Sequence, residues 1–217
     1  MLVGERMSHP VLTVSPDLPV QEALARMRKE KVSRYPVVDK KGKLVGIVSD
    51  DDLLNASPSD ATTLAVWEVS YLLSKITVER VMSKNVITVT EDTPIEEAAR
   101  TMADHRVSGL PVVRGGAIVG IITQTNIFQM FLEMLGAREP GLRVTAIVKE
   151  EPGKLNQLTQ AISAAGGNII SLSTFSGVSS QDRQVTIRVS QMDSNTIRKA
   201  LLPIVEEIRD LREMTVG

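Results

Sequence analysis

Cysteine is absent from the 217-residue chain, which excludes disulfides, thiolate metal sites and thiol nucleophiles together. Histidine is scarce: His9 and His105 lack the local spacing of metal ligands or of a triad. The P-loop pattern G-x-x-x-x-G-K-S/T is missing, and no activated nucleophile stands out. The expectation is therefore a protein that is not an enzyme, with no catalytic residues and no resident metal. An excess of charge is lacking too. The 25 basic and 26 acidic residues give a net charge of -1, too little field for nucleic acid or an anionic membrane surface as the main partner. No apolar run approaches the roughly 20 residues of a membrane span, and "MLVGERMSHP" lacks the apolar core of a signal peptide. A cytoplasmic protein without membrane contact is expected. What the chain does contain is 42% hydrophobic residues, enough for packed cores in two or three small domains.

The chain repeats itself. "VGERMSHPVLTVSPDLPVQEALARM" aligns with "VERVMSKNVITVTEDTPIEEAARTM" at a spacing of about 75 residues. "VSRYPVV" matches "VSGLPVV", and "LVGIVS" matches "IVGIIT" one residue shorter. Each copy reads alike. A short β-branched run ("VLTV", "VITV") precedes a helix opened by Pro19 or Pro94, with apolar positions at helical spacing. Two strands around "DKKGK" or "RGGA" follow, then a short helix near residues 50–55 and 124–134. One such unit has too little core to stand alone, so the copies should pack about a pseudo-twofold axis with two related clefts between them. The segment between them carries Leu64, Trp67, Tyr71 and Leu72 at helical spacing and reads as a packing helix over 57–75.

At the end of the second hairpin strand of the first copy, "LVGIVS", stand Ser49, Asp50, Asp51 and Asp52. Ser49 with Asp52 suits a capping box, and acids suit a first helical turn. Thr123 to Asn126, "TQTN", occupies the same place in the second copy. An S/T-x-x-D/N pattern at a strand-to-helix junction also suits a ribose phosphate: an anion meets hydroxyl and free N–H groups, and a carboxylate accepts from vicinal ribose hydroxyls. A neutral amide does this less well, so Asp52 should outbind Asn126. Successive acids point in different directions and the EF-hand pattern is missing, which disfavours a cation there.

These paired "h-x-T-V", "VS-x-x-PVV" and "VGI-h-S/T-x-x-D/N" motifs, with h apolar, resemble tandem CBS domains, the Bateman module. The resemblance implies an adenosine nucleotide or adenosyl ligand between the repeats. Carried across, the principal cleft would place Thr88, Val107, Ser108 and Pro111 around the base, Ser49 and Asp52 on the sugar, and Arg34 on the phosphate. A weaker cleft would use Thr13, Val32, Ser33 and Pro36 with Thr123 and Asn126. There Gly109 replaces the counterpart of Arg34, and Asn126 replaces the acid. For Arg34 a solvated surface role, and for Thr13 and Thr88 ordinary strand packing, remain open.

After a linker at 136–141, residues 142–217 read as strand, helix, two strands, helix and strand. That βαββαβ order is ferredoxin-like, and "EEPGKLNQL" with a later "GGNI" resembles the ACT domain. The resemblance implies an amino acid bound through Glu150, Gly153, Leu155 and Asn168; the alternative is that Pro-Gly only starts a helix and Asn168 only turns the chain. The expected organisation is CBS domain 1 over 1–56, the connecting helix over 57–75, CBS domain 2 over 76–135 and the ACT domain over 142–217, an α+β fold. The order resembles acetoin-utilisation AcuB-type proteins. This implies a regulatory homodimer reading AMP, ADP, ATP or another adenosyl compound, with an amino acid as second ligand and an unknown regulated protein as partner. The alternative is an oligomerisation or interaction scaffold with no small-molecule ligand.

Overall fold

The computed structural model describes residues 1–56, 75–177 and 179–215. The expected connecting helix lies outside these residues apart from Lys75. The chain divides into two compact units, Met1–Ile127 and Phe128–Gly217.

In the first unit both copies follow one plan. Copy 1 has α1 (Val20–Glu30), β1 (Arg34–Val38), β2 (Leu44–Ser49) and α2 (Asp50–Asn55). Copy 2 opens with α3 (Val78–Val81) and continues with α4 (Ile95–His105), β3 (Gly109–Arg114), β4 (Ala117–Thr123) and α5 (Gln124–Met134). Helix α5 carries the chain across the division between the units. Apolar residues at 3–4 spacing bury one face of each long helix: Val20, Ala23 and Met27 in α1, Ile95, Ala98 and Met102 in α4. Both helices end on a non-glycine residue in the left-handed region, Lys31 and Arg106, which turns the chain into the next strand.

The runs "VLTV" and "VITV" touch the hairpins through one residue each. Val14 N–H donates to Pro36 O and accepts at its own carbonyl from Val38 N–H; Val89 does the same with Pro111 and Val113. A parallel ladder would next need a donor at residue 36 or 111, and proline has none. The proline of "VS-x-x-PVV" thus stops the pairing after one bridge.

The copies exchange their leading segments. Val3 and Gly4 N–H donate to Thr93 and Glu91 carbonyls, and Ser8 pairs with Ile121 of β4. Reciprocally, Val78 and Glu79 N–H donate to Leu18 and Pro16 carbonyls, and Ser83 pairs with Ile47 of β2. Val78 is fully buried in the core of copy 1, among Val14, Val37, Val48 and Leu53. Met82 lies in the space a side chain would fill at Gly46, and Met7 in the equivalent space at Gly120.

In the second unit β5 (Gly141–Lys149), α6 (Lys154–Ala164), β6 (Asn168–Ser176), β7 (Asp182–Ser190), α7 (Ser194–Leu201) and β8 (Glu207–Met214) make the βαββαβ order. Their antiparallel sheet runs β6-β7-β5-β8. Alternate residues Val144, Val148, Val185, Ile187 and Val189 join Leu158, Ile162, Ile197 and Leu201 of the helices in one core. On the other face Arg188, 6% exposed, donates to the carbonyls of Gly136 (2.5 Å) and Glu139 (2.6 Å), while Ser171 Oγ donates to Leu135 O (3.0 Å). These bonds hold segment 135–139 against the sheet. Gly136 has φ +58, and an added methyl would come within 2.6 Å of Ile170 Cγ2, so glycine is required there.

Candidate functional site

The strand-to-helix junctions are built alike. Ser49 N–H and Oγ–H donate to Asp52 Oδ2 at 2.8 and 2.7 Å, and Asp52 N–H returns a bond to Ser49 Oγ at 3.2 Å. This capping box satisfies helix-start donors. In copy 2, Thr123 N–H and Oγ1–H donate to Asn126 Oδ1 at 2.9 and 2.7 Å, and Asn126 N–H donates to Thr123 Oγ1 at 3.3 Å. The outcome differs at the free end. Asp52 keeps Oδ1 as an acceptor without a hydrogen bond among the described residues, whereas Asn126 has only its amide N–H groups left.

A cleft of about 210 Å³ joins the copies at the first junction. Arg34, Ile47, Ser49 and Asp52 line it from copy 1, and Ser83, Arg106, Val107, Ser108 and Gly109 from copy 2. The register explains the arrangement: Arg34 begins β1 opposite Ser49, the last residue of β2, and Gly109 begins β3 opposite Thr123. Asp50 N–H is tied to Ser33 O and Gln124 N–H to Ser108 O, each at 3.0 Å, so "VS" is bonded to the junction in both copies.

Arg34 is half-buried. Its Nε is buried without a hydrogen-bond partner, and the guanidinium forms no ion pair among the described residues. Burial pulls its pKa down, and the fields of Asp50, Asp51 and Asp52 oppose that shift. The group stays cationic, since arginine does not deprotonate in proteins. The side chain runs over Gly109 of the other copy: a methyl placed there would stand 2.6 Å from Nη1 and 2.9 Å from Cδ.

Of the residues expected at the principal cleft, Arg34, Ser49, Asp52, Val107 and Ser108 meet. Thr88 and Pro111 stand outside this lining: Thr88 is exposed beside Val89, and Pro111 is buried in β3. Ile47, Ser83 and Arg106 line the cleft without having been singled out in the sequence. Arg106 had a signal, a base just before "VSGLPVV" at the end of a helix. For the other cleft, Thr123 and Asn126 join through the cap, Pro36 is buried in β1, Val32 and Thr13 are half-buried, and Ser33 is exposed but holds the Asp50 amide.

In the second unit a cavity of about 450 Å³ opens at the loop after β5. Glu150, Gly153 and Leu155 line it together with Thr174 and Arg183, and Glu150 is ion-paired to Arg183 across it. Asn168 is not brought there. It opens β6 opposite Ser190, whereas the loop follows Lys149, which faces Asp182 at the other end of β7. The two strands run in the same direction, so Asn168 and the Pro-Gly loop of one chain lie at opposite ends of the sheet.

A pair of hairpin units closing on a shared cleft, followed by a ferredoxin-like unit, defines the architectural class of this chain. CBS domains match residues 3–59 and 78–133, and the TTHA0829-like ACT domain matches residues 140–212. The chain belongs to the CBS-domain family and carries an ACT-like domain at its C-terminal end; both domain types are regulatory modules.

The CBS pair of protein MJ0100, solved with 5′-methylthioadenosine and S-adenosyl-L-methionine, is 32% identical. It covers 60% of this chain and 95% of its own with a TM-score of 0.51. CBSX2 in complex with AMP is also 32% identical, covering 60% and 96% with a TM-score of 0.50. An acetoin utilization protein (AcuB) from Vibrio cholerae is 29% identical, covering 64% and 96% with a TM-score of 0.53. Among curated relatives, L-aspartate semialdehyde sulfurtransferase of Methanocaldococcus jannaschii is 33% identical over 131 residues. That match takes in 60% of this chain but 23% of the sulfurtransferase. No helix among the described residues is long and apolar enough to cross a membrane, and no acidic or histidine cluster among them could hold a metal ion.

Proposed function

We propose that this chain is a non-catalytic regulatory protein that senses an adenosine nucleotide or another adenosyl ligand in the cleft between its CBS repeats. The observation that carries this reading is the meeting of Arg34, Ser49 and Asp52 from copy 1 with Val107, Ser108 and Gly109 from copy 2 around one 210 Å³ space. In this reading Asp52 Oδ1 accepts from ribose hydroxyls, Arg34 binds a phosphate, and the Val107–Ser108 edge holds the base. AMP, ADP and ATP share these groups. The AMP and S-adenosyl-L-methionine complexes of the two similar CBS pairs support the same ligand class. A ligand touching both copies favours the arrangement in which they are close, and that population shift is the signal passed to a regulated partner.

The ACT cavity is the proposed amino-acid site, with Glu150, Gly153, Leu155 and Arg183 at hand. Asn168 could enter it only from a second copy of the chain. The homodimer and cytoplasmic setting belong to the same reading. The interaction-scaffold alternative draws on exposed Phe128, Phe131 and Met134, spaced along one side of α5.

A thermal-shift panel of adenosyl compounds and amino acids tests the choice. AMP should raise the Tm of the wild-type protein, and Asp52→Ala should abolish the rise. No rise with any compound, together with a self-associating species, would favour the scaffold.

A further inference from the structure

The geometry points to Gly109 as the residue that determines whether the cleft can take an anionic adenosyl ligand, although glycine itself offers no binding group. This rests on the adenosyl reading above and deepens it.

Arg34 and Gly109 hold the same register position in the two copies, each the first residue of its strand and each opposite the last residue of the partner strand. Across the pseudo-twofold axis they meet, and the arginine uses the room the glycine leaves. A methyl at 109 would sit 2.6 Å from Nη1, 2.9 Å from Cδ and 3.4 Å from Cζ of Arg34, against about 3.5–4.0 Å for ordinary contact between carbons. All three atoms belong to a flexible side chain and none to backbone. Alanine at 109 would therefore leave the strand in place and turn the arginine away. The φ of Gly109 lies outside the left-handed region, so alanine meets no backbone penalty.

What would be displaced is a group poised for an anion. The guanidinium lies in the cleft with Nε buried and unpartnered, while Asp50, Asp51 and Asp52 act on it without forming an ion pair among the described residues. Planar guanidinium forks suit phosphate oxygens. An arginine at 109 as well would bring two like charges into one space. The fold thus accommodates this device once, on the side of Ser49 and Asp52.

Calorimetry on the full chain with AMP and 5′-methylthioadenosine tests the idea, because the second compound lacks the phosphate. Gly109→Ala should weaken AMP binding about tenfold or more, the scale of a lost charge-assisted contact, and leave 5′-methylthioadenosine within about twofold. Arg34→Ala should do the same. Adding Gly109→Ala to Arg34→Ala should have no further effect, because both act through one group. Gly109→Ser supplies a second obstructing side chain should alanine disturb folding, and the Tm of each unliganded variant reports on that.

Equal weakening of both compounds by Gly109→Ala, unchanged AMP binding, or additive losses in the double variant would each overturn the proposal while leaving the adenosyl cleft standing. Failure of the wild-type protein to bind either compound would overturn that reading and the proposal with it.

Discussion

The two CBS copies share a backbone and differ in chemistry. Ser49 with Asp52 and Thr123 with Asn126 form the same cap with the same three bonds. One cap leaves a carboxylate oxygen, and the other an amide donor, without a hydrogen bond among the described residues. Arg34 begins one strand and Gly109 the other, and the arginine occupies the space the glycine provides. Even the hairpin turns diverge: both use glycine with positive φ, Gly42 in copy 1 and Gly115 with Gly116 in copy 2, but among the described residues only in copy 1 does a carboxylate brace the turn, Asp39 Oδ1 accepting from Lys41 and Lys43 N–H at 2.8 and 2.9 Å. The architecture needs a hydroxyl residue and an oxygen acceptor three positions on, and both copies meet that need. Capping alone therefore does not distinguish the two junctions; the groups left over after capping do.

The largest expected contrast is in packing. Leu53 is fully buried while its counterpart Ile127 is only partly so. Leu53→Ala should cost about 3 kcal/mol and Ile127→Ala about 1 kcal/mol, read as shifts in the urea midpoint. Equal losses would mean that the copies contribute alike to the core. A smaller effect concerns the junction of copy 2. Asn126→Asp keeps the cap and restores a free acceptor, so calorimetry should reveal a second AMP event or one tightened about threefold to tenfold. No change would place the asymmetry wholly in Arg34 and Gly109.

The smallest effect separates the turns by pH. Two backbone N–H bonds, with help from nearby lysine charge, hold the Asp39 carboxyl below its ordinary value. A depressed carboxylate stabilises above its unfolded pKa of about 3.9, and that contribution is lost as pH falls through the folded value. The Tm advantage of wild-type protein over Asp39→Asn should thus be full near neutrality and shrink below about pH 4. An advantage that grew on acidification would refute this account of the turn.

Much of the architecture was legible in the chain. The 75-residue repeat, the helices opened by Pro19 and Pro94, and the βαββαβ order of the C-terminal unit all follow from periodicity and turn chemistry, which act locally. The exchange of leading segments was not, because "GERMS" and "ERVMS" carry no mark of which hairpin they will join. The arrest of "VLTV" after one bridge was readable only with hindsight from Pro36, since a missing donor matters once the neighbour is known. At the cleft the motifs brought Arg34, Ser49, Asp52, Val107 and Ser108 together. Gly109 registered only as a lost arginine. That its emptiness serves Arg34 depends on contact between residues 75 positions apart. Asn168 shows the converse: proximity to the Pro-Gly motif in sequence did not become proximity in one folded chain.

Met82 resting on Gly46 and Met7 resting on Gly120 make each repeat the custodian of its twin. A substitution in either leader is felt in the opposite hairpin, so neither half can change its entry segment alone. The smallest piece of this protein that can close its own interior is thus the interlaced pair, although the text of the chain shows two tidy halves.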